Sequence, residues 1–296
     1  MKPVRIAVLP VAGFGTRVLP ATKTIPKEML PVVDRPALQY VVDEALEAGI
    51  EHFVFITGRQ KSAIEDYFDS AYELEDALHR KGKMDIYDHL KSKQPREGSM
   101  SFIRQQAAKG LGHAVWCARD VVGDEPFAVL LPDVLIQSDR SCLAQMMDAY
   151  NQVGGNIIAV DAVPEDRVSS YGVIKPKAGE DHKSSTLIKM DGMVEKPTQE
   201  EAPSNLKITG RYILQPELMR LLRDQEAGAG GEIQLTDAMA RLMDDQLFHA
   251  FVYEGEDYDC GSKIGYLEAV LAFAQTHREI GAEARALIKR MGHDLP

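Results

Sequence analysis

The chain has 296 residues, 45% of them hydrophobic and 27% charged, and a net charge of −11. That length predicts one large α/β domain or two smaller ones, and the acidic balance excludes nonspecific binding to nucleic acid or to an anionic membrane. No apolar run approaches the length of about eighteen residues that a membrane span needs. The short run Ile6 to Leu9 is not a signal peptide, and the cysteines Cys117, Cys142 and Cys260 form no CxxC pair, which predicts a reducing, cytoplasmic setting.

Val4 to Leu9 reads as a buried strand. The chain then runs through VAGFGTRVLPATKTIPKEMLP. Pro20, Pro26 and Pro31 fix φ there and forbid a long helix, so an ordered loop that curls back over the strand end is expected. Pro36 to Ala48 predicts a helix, with Gly49 just past its end and Leu38, Val41, Val42, Ala45 and Leu46 on its apolar face. Phe53 to Thr57 is the next strand, and strand–helix–strand in this order implies a right-handed, parallel βαβ unit. Residues 60 to 93 are charged and helix-prone, an inserted helical arm. Ser101 to Arg104 and Phe127 to Leu131 predict further strands, with a helix from about His113 to Val122 between them. Asn156 to Ala162 is another strand. From Tyr171 to Leu214, short alternating segments broken by Gly, Pro and Asp predict mixed or antiparallel sheet. Gln215 to Leu222 and Leu235 to Met243 predict short helices. Ser262 is placed to cap a long helical tail whose apolar face, Ile264, Leu267, Val270 and Leu271, is free for a subunit contact.

The glycine loop fails two familiar patterns. Nothing supplies GxxxxGK[ST], and Val18 stands where the dinucleotide fingerprint GxGxxG needs its third glycine. What remains is G-x-G-T-R directly after a strand. Its glycines let backbone amides approach an anion, and Arg17 adds a planar fork suited to phosphate. Residues 1–35 hold six Lys/Arg against two acids, which suits a small polyanionic ligand. Asp133 follows the strand FAVLLP, at the carboxyl-end position where open α/β sheets bind ligands. A single carboxylate there suits Mg²⁺, although an Asp after a strand is, on its own, more often a turn or cap residue.

These residues carry a resemblance. G-x-G-T-R followed by a P-K motif is similar to the signature of the sugar nucleotidyltransferases. The wider stretch VAGFGTRVLPATKTIPKEMLPVVDRPALQYVVDEALEAGI, with YELEDAL, KGLGHAV, LPDV, YGVI, VEKP and YDCGSKIGY, resembles the bacterial UTP–glucose-1-phosphate uridylyltransferase branch over nearly the whole chain. The resemblance implies an α/β, Rossmann-like fold, with a mixed, mainly parallel sheet flanked by helices, added sugar-side strands and C-terminal helices. It implies a single domain, with a nucleotide half at 1–155 (the arm at about 60–95), a sugar-phosphate half at 156–260 and C-terminal helices at 261–296.

The implied reaction moves a uridylyl group from UTP to glucose 1-phosphate with release of pyrophosphate. The nucleophile is a phosphate oxygen, mostly deprotonated at neutral pH because its second pKa is about 6, so neither a general base nor a covalent enzyme intermediate is needed. By resemblance Arg17 and Lys27 are the catalytic cations. Ala12, Gly13, Gly15, Thr16, Gln105 and Gly110 bind the nucleotide, and Gln105 offers both a donor and an acceptor to a uracil edge. Gly172, Glu195, Lys196 and Gly210 bind the sugar phosphate. Asp133 holds Mg²⁺, with Asp259 as a second acidic residue. The partners implied are these two small molecules and further copies of the chain, as a dimer or tetramer. Lys23 matches no role, His113 is expected to pack or cap a helix, the acids from Asp224 to Asp259 are expected to be mostly solvated, and GGEIQLTD is family-like without a derived role. Two alternatives stand beside this reading. One is a dTTP-using relative, since a methyl group is worth only about 1–3 kcal/mol in a pocket. The other is a nucleotide-sugar-binding regulator without turnover, which would have no need of Arg17, Lys27 and Asp133 together.

Overall fold

The computed structural model describes residues 1–180 and 185–293. In chain order the strands are β1 (Ile6–Pro10), β2 (Pro31–Val32), β3 (Arg35–Pro36), β4 (His52–Thr57), β5 (Met100–Arg104), β6 (Phe127–Leu130) and β7 (Val134–Gln137). They continue with β8 (Asn156–Ala162), β9 (Gly172–Pro176), β10 (Leu187–Glu195), β11 (Leu206–Leu214), β12 (Phe248–Val252) and β13 (Glu256–Asp259). Nine of them form one sheet in the order β5-β4-β1-β6-β11-β8-β12-β10-β9. β5, β4, β1 and β6 are parallel neighbours, as are β8 and β12. β11 and β10 run against the rest, which makes the sheet mixed and mainly parallel, as expected.

Both faces of this sheet are covered, which is why its strands read as near-continuous apolar runs. Ala7, Leu9, Phe53 and Phe55 face the helices Ala37–Glu47 and Cys142–Val153. Val8, Val54, Ile56 and Val129 face Leu111–Trp116, Leu218–Arg223 and Leu235–Leu242. From β1 the chain proceeds to β4 and β5 on one side, while β6 lies on the other. The strand order therefore reverses between β1 and β6, and a crevice opens beyond their carboxyl ends.

Several expectations are refined. The proline-bearing segment is three short 3₁₀ turns, Thr16–Val18, Ala21–Lys23 and Lys27–Met29, in place of a long helix. The arm is three helices, Ser62–Phe68, Tyr72–Arg80 and Met84–Ser92. The helix expected from His113 starts earlier and is two, Leu111–Trp116 and Arg119–Val122. On Ala37–Glu47, Leu46 is exposed while Glu44 is buried, because Glu44 has an ionic partner inside. Ser262 does cap the helix Lys263–Thr276, accepting from the Gly265 amide. Val270 packs on the core, and Ile264, Leu267 and Leu271 are exposed. The last helix is Gly281–His293, and the expected tail's final residues, 294–296, lie outside the described residues. Among the described residues no helix is long and apolar enough to cross a membrane.

Candidate active site

Two adjoining compartments open at the crevice. The first, about 380 Å³, has walls from Ala12, Gly13, Thr16, Lys27, Gln105 and Gly110. The second, about 220 Å³, has walls from Arg17, Gly172, Glu195, Gly210 and Asp259. Asp133 belongs to both. A larger groove of about 630 Å³ lies elsewhere, around Arg140 and Phe251. Volume does not mark the chemistry here; the convergence of charge at Asp133 does.

At that junction Lys27 Nζ donates to Asp133 Oδ2 at 2.6 Å. The Arg17 guanidinium stands 3.8 Å from Asp133 and 3.5 Å from Asp259. Burial pushes the Asp133 carboxyl up, but Lys27, a backbone hydrogen bond and Arg17 together outweigh this and leave it below its ordinary 3.8. For Lys27, burial pulls the ammonium down, and Asp133 and Glu28 outweigh it, leaving it above 10.5.

Four local devices fix these side chains. β7 and β13 pair antiparallel with Val134 opposite Asp259, and the Cys260 amide donates to the Asp133 carbonyl at 2.7 Å. That ribbon brings two acids far apart in sequence side by side. Gly261 fits between them: a β-carbon there would stand 2.6 Å from Arg17 Nη2, 2.8 Å from Asp259 Oδ1 and 2.9 Å from Asp133 Oδ2. Arg211, fully buried on β11, grips Glu44 through two nitrogens and donates to the carbonyls of Leu131 (3.0 Å) and Val134 (2.7 Å). It thus brackets the Pro132–Asp133 turn. Finally, Lys61 donates to Glu28 at 2.8 Å inside the protein, anchoring the 3₁₀ turn that carries Lys27.

Of the residues singled out from the sequence, Arg17, Lys27, Asp133 and Asp259 come together as one cluster. Ala12, Gly13, Thr16, Gln105 and Gly110 line the first compartment. Gly15 lies behind it, left-handed at φ 66°, its carbonyl accepting from Thr22 Oγ1. Gly172, Glu195 and Gly210 line the second compartment. Lys196 does not. Its side chain is exposed at the rim, 3.9 Å from Glu195, on a backbone with φ 48°. Lys23 is exposed, in keeping with its having no role.

The structure adds residues that the motifs did not reveal. Lys207, buried, lines the second compartment and donates to both oxygens of Asp257. Asp257 is therefore not one of the solvated acids expected in its region. GGEIQLTD acquires a place: Ile233 is hydrogen-bonded to Lys109 and Gly112, Glu232 lines the first compartment, and Thr236 donates to Glu195 in the second. The segment thus ties the two compartments together. Glu28 lines the first compartment, with Oε1 buried and without a hydrogen-bond partner among the described residues. His113 neither caps a helix nor merely packs. Its Nδ1 lies 2.9 Å from Gln105 Nε2.

Among the described residues no group of three or more His, Cys, Asp or Glu side chains comes together to hold a metal. Asp133 and Asp259 nonetheless both line the second compartment. Two carboxylates with open space beside them suit Mg²⁺, which keeps several waters and shares itself with phosphates.

A family model described as nucleotidyl transferase matches residues 6–276. The chain belongs to the nucleotidyl transferase family. Similar to this family member is the UTP–glucose-1-phosphate uridylyltransferase of Bacillus subtilis (strain 168), 48% identical over 280 residues, covering 95% of this chain and 94% of that protein. Among solved structures, a UTP-bound UGPase from Acinetobacter baumannii superposes with a TM-score of 0.89 at 46% identity, covering 96% of this chain and 98% of that one. A UDP-glucose pyrophosphorylase complexed with UDP-glucose gives 0.81 at 42%, covering 93% and 100%. The resemblance seen in the motifs is borne out, and with it the nucleotidyltransferase class and its fold.

Proposed function

We propose that the protein transfers a uridylyl group from UTP to glucose 1-phosphate, giving UDP-glucose and pyrophosphate, by in-line displacement at the α-phosphate. The observation that carries this reading is the shared wall: two compartments meet at Asp133, with Lys27 and Arg17 at the junction. A reaction joining two polyanions needs two pockets and cations between them.

In this reading UTP occupies the first compartment, its base at Gln105 and Gly110 and its phosphates along Ala12, Gly13 and Thr16, with Gly15 shaping the turn behind them. Glucose 1-phosphate occupies the second, its hydroxyls toward Glu195 and the backbones of Gly172 and Gly210. Lys196 swings in from the rim to meet its phosphate. That phosphate oxygen attacks the α-phosphorus; Lys27 offsets the charge developing there, and Arg17 steadies the departing pyrophosphate. No enzyme nucleophile takes part. Cys260, the thiol beside the acids, is pushed up to about 12 by burial and by Asp133 and Asp259, so it supplies no thiolate. Asp133 and Asp259 would hold Mg²⁺, which would neutralise phosphate charge.

The division proposed is a nucleotide half at 1–155, a sugar-phosphate half at 156–260 and terminal helices at 261–296; Gln105 and Gly110 of the first half line the first compartment, and Gly172, Glu195 and Gly210 of the second half line the second. The exposed face of Ile264, Leu267 and Leu271 is the contact of a homo-oligomer, a dimer or tetramer, and the compartment is the cytoplasm. The test is pyrophosphate release from UTP plus glucose 1-phosphate with Mg²⁺, run beside dTTP. Release that requires both substrates supports the reading. Binding of UDP-glucose without any release would overturn it, and a dTTP rate above the UTP rate would reassign the nucleotide.

A further inference from the structure

We propose that His113 fixes which way the Gln105 amide faces, and so makes the first compartment specific for a base with a ring N–H, as in uracil, over one with a bare ring nitrogen, as in cytosine. A glutamine amide can present its oxygen or its NH₂ group, and the two ends recognise opposite base edges. Here the choice is made by neighbours. Gln105 Nε2 lies 3.2 Å from the carbonyl oxygen of Gly110, which only accepts, so the nitrogen end must point that way. The same Nε2 lies 2.9 Å from His113 Nδ1, and with both its hydrogens so directed, Nδ1 must be the unprotonated ring nitrogen.

Gln105 Oε1 then takes no hydrogen bond from any described residue while its side chain lines the compartment. The compartment is left with an acceptor and no donor from this side chain. An acceptor satisfies a ring N–H and repels a lone pair, and sites built on one buried hydrogen bond discriminate strongly against partners lacking it. The imidazole is itself held in place. Its ring lies tilted at 32° against Trp116, 5.7 Å between centroids, and Arg119 covers that indole at 3.9 Å. Burial, then Lys109 and Arg119, lowers the pKa of His113, which keeps its ring neutral. His113 is thus a positioning residue acting through Gln105.

The inference rests on the reading of this compartment as the UTP site, and the experiment separates the two. Wild-type protein is assayed first with UTP and CTP; failure with UTP sinks the functional reading itself. His113→Phe keeps a flat ring but removes the acceptor, and its UTP-over-CTP ratio in kcat/KM is expected to fall about tenfold, mainly through a higher KM for UTP. His113→Asn, whose Oδ1 can stand near the lost Nδ1, is expected to restore most of that ratio. A ratio unchanged in His113→Phe, or equally low in His113→Asn, overturns the proposal. A measurement on the unaltered protein guards against misfolded variants. Nitrogen-15 NMR of labelled histidine should show His113 as the Nε2–H tautomer, and the Nδ1–H tautomer would refute it.

Discussion

Replacing Gly261 by alanine tests the cluster without touching any charged side chain. Gly261 does not use the left-handed region, so its backbone accepts alanine, and such changes stabilise by about 0.4–1 kcal/mol through the unfolded state. Space is the difficulty. The methyl group would stand 2.6 Å from Arg17 Nη2, 2.8 Å from Asp259 Oδ1 and 2.9 Å from Asp133 Oδ2. Each atom must retreat by roughly half an ångström or more to reach ordinary contact. Arg17, with a side chain 63% exposed, swings away freely. The acids cannot, because Lys27 holds Asp133 and the Gly261 amide itself donates to Asp259 at 2.9 Å. Misplacing reacting groups by about 1 Å costs on the order of a hundredfold in rate, or about 2.7 kcal/mol. We expect kcat for pyrophosphate release to fall about a hundredfold while the melting temperature moves by less than about 4 °C. Initial rates across both substrates, with calorimetry on the same sample, make the measurement. A kcat within threefold of wild type would show that the cluster yields without loss and refute the reasoning.

Other predictions follow from the same contacts. Lys27→Met should lower kcat by about 10²–10³ by removing the cation at the reacting phosphate, and an unchanged rate would remove Lys27 from the mechanism. Because Lys27 holds Asp133 below 3.8, that carboxylate stabilises the fold at higher pH, and the stabilisation is lost as pH falls through the depressed value. Urea unfolding from pH 7 down to about 3 should therefore show a shallower acid loss in Lys27→Met than in wild type, and parallel curves would contradict the pairing. Arg211→Met strands Glu44 in the core and should cost about 3–5 kcal/mol in urea unfolding; a loss under about 1 kcal/mol would show that the pair is dispensable. Iodoacetamide at pH 8 should label Cys117 first, with Cys142 and Cys260, buried and raised in pKa, labelled only on unfolding. Mass spectrometry showing native Cys260 labelled as fast as Cys117 would refute this.

The parts of the fold legible in sequence were those with local causes. The run FVFIT and the capping Ser262 each carry their signal within a few residues, and β4 and the helix Lys263–Thr276 lie where these place them. The crevice was legible because glycines and Asp133 sit immediately after strands. The ribbon of β7 and β13 was not, since neither four-residue strand has a pattern of its own and each exists only through the other. Glu44 was missed for a related reason. It sits on the apolar side of a helix as a charge, and its explanation, Arg211, lies 167 positions away. Lys207 looks like any strand lysine until Asp257 is brought beneath it.

The charged cluster balances itself. Arg17 and Lys27 are matched by Asp133 and Asp259, so the four charges cancel and project little field into the solvent. An approaching triphosphate is therefore not drawn in from afar; it must exchange places with carboxylates already seated on the cations. Such an exchange swaps one anionic partner for another, and its free energy is a small difference between similar terms. The more highly charged anion gains little from its charge. What counts is whether its oxygens match positions set by Gly261, Arg211 and the ribbon, so an abundant but wrongly shaped anion such as inorganic phosphate should compete poorly.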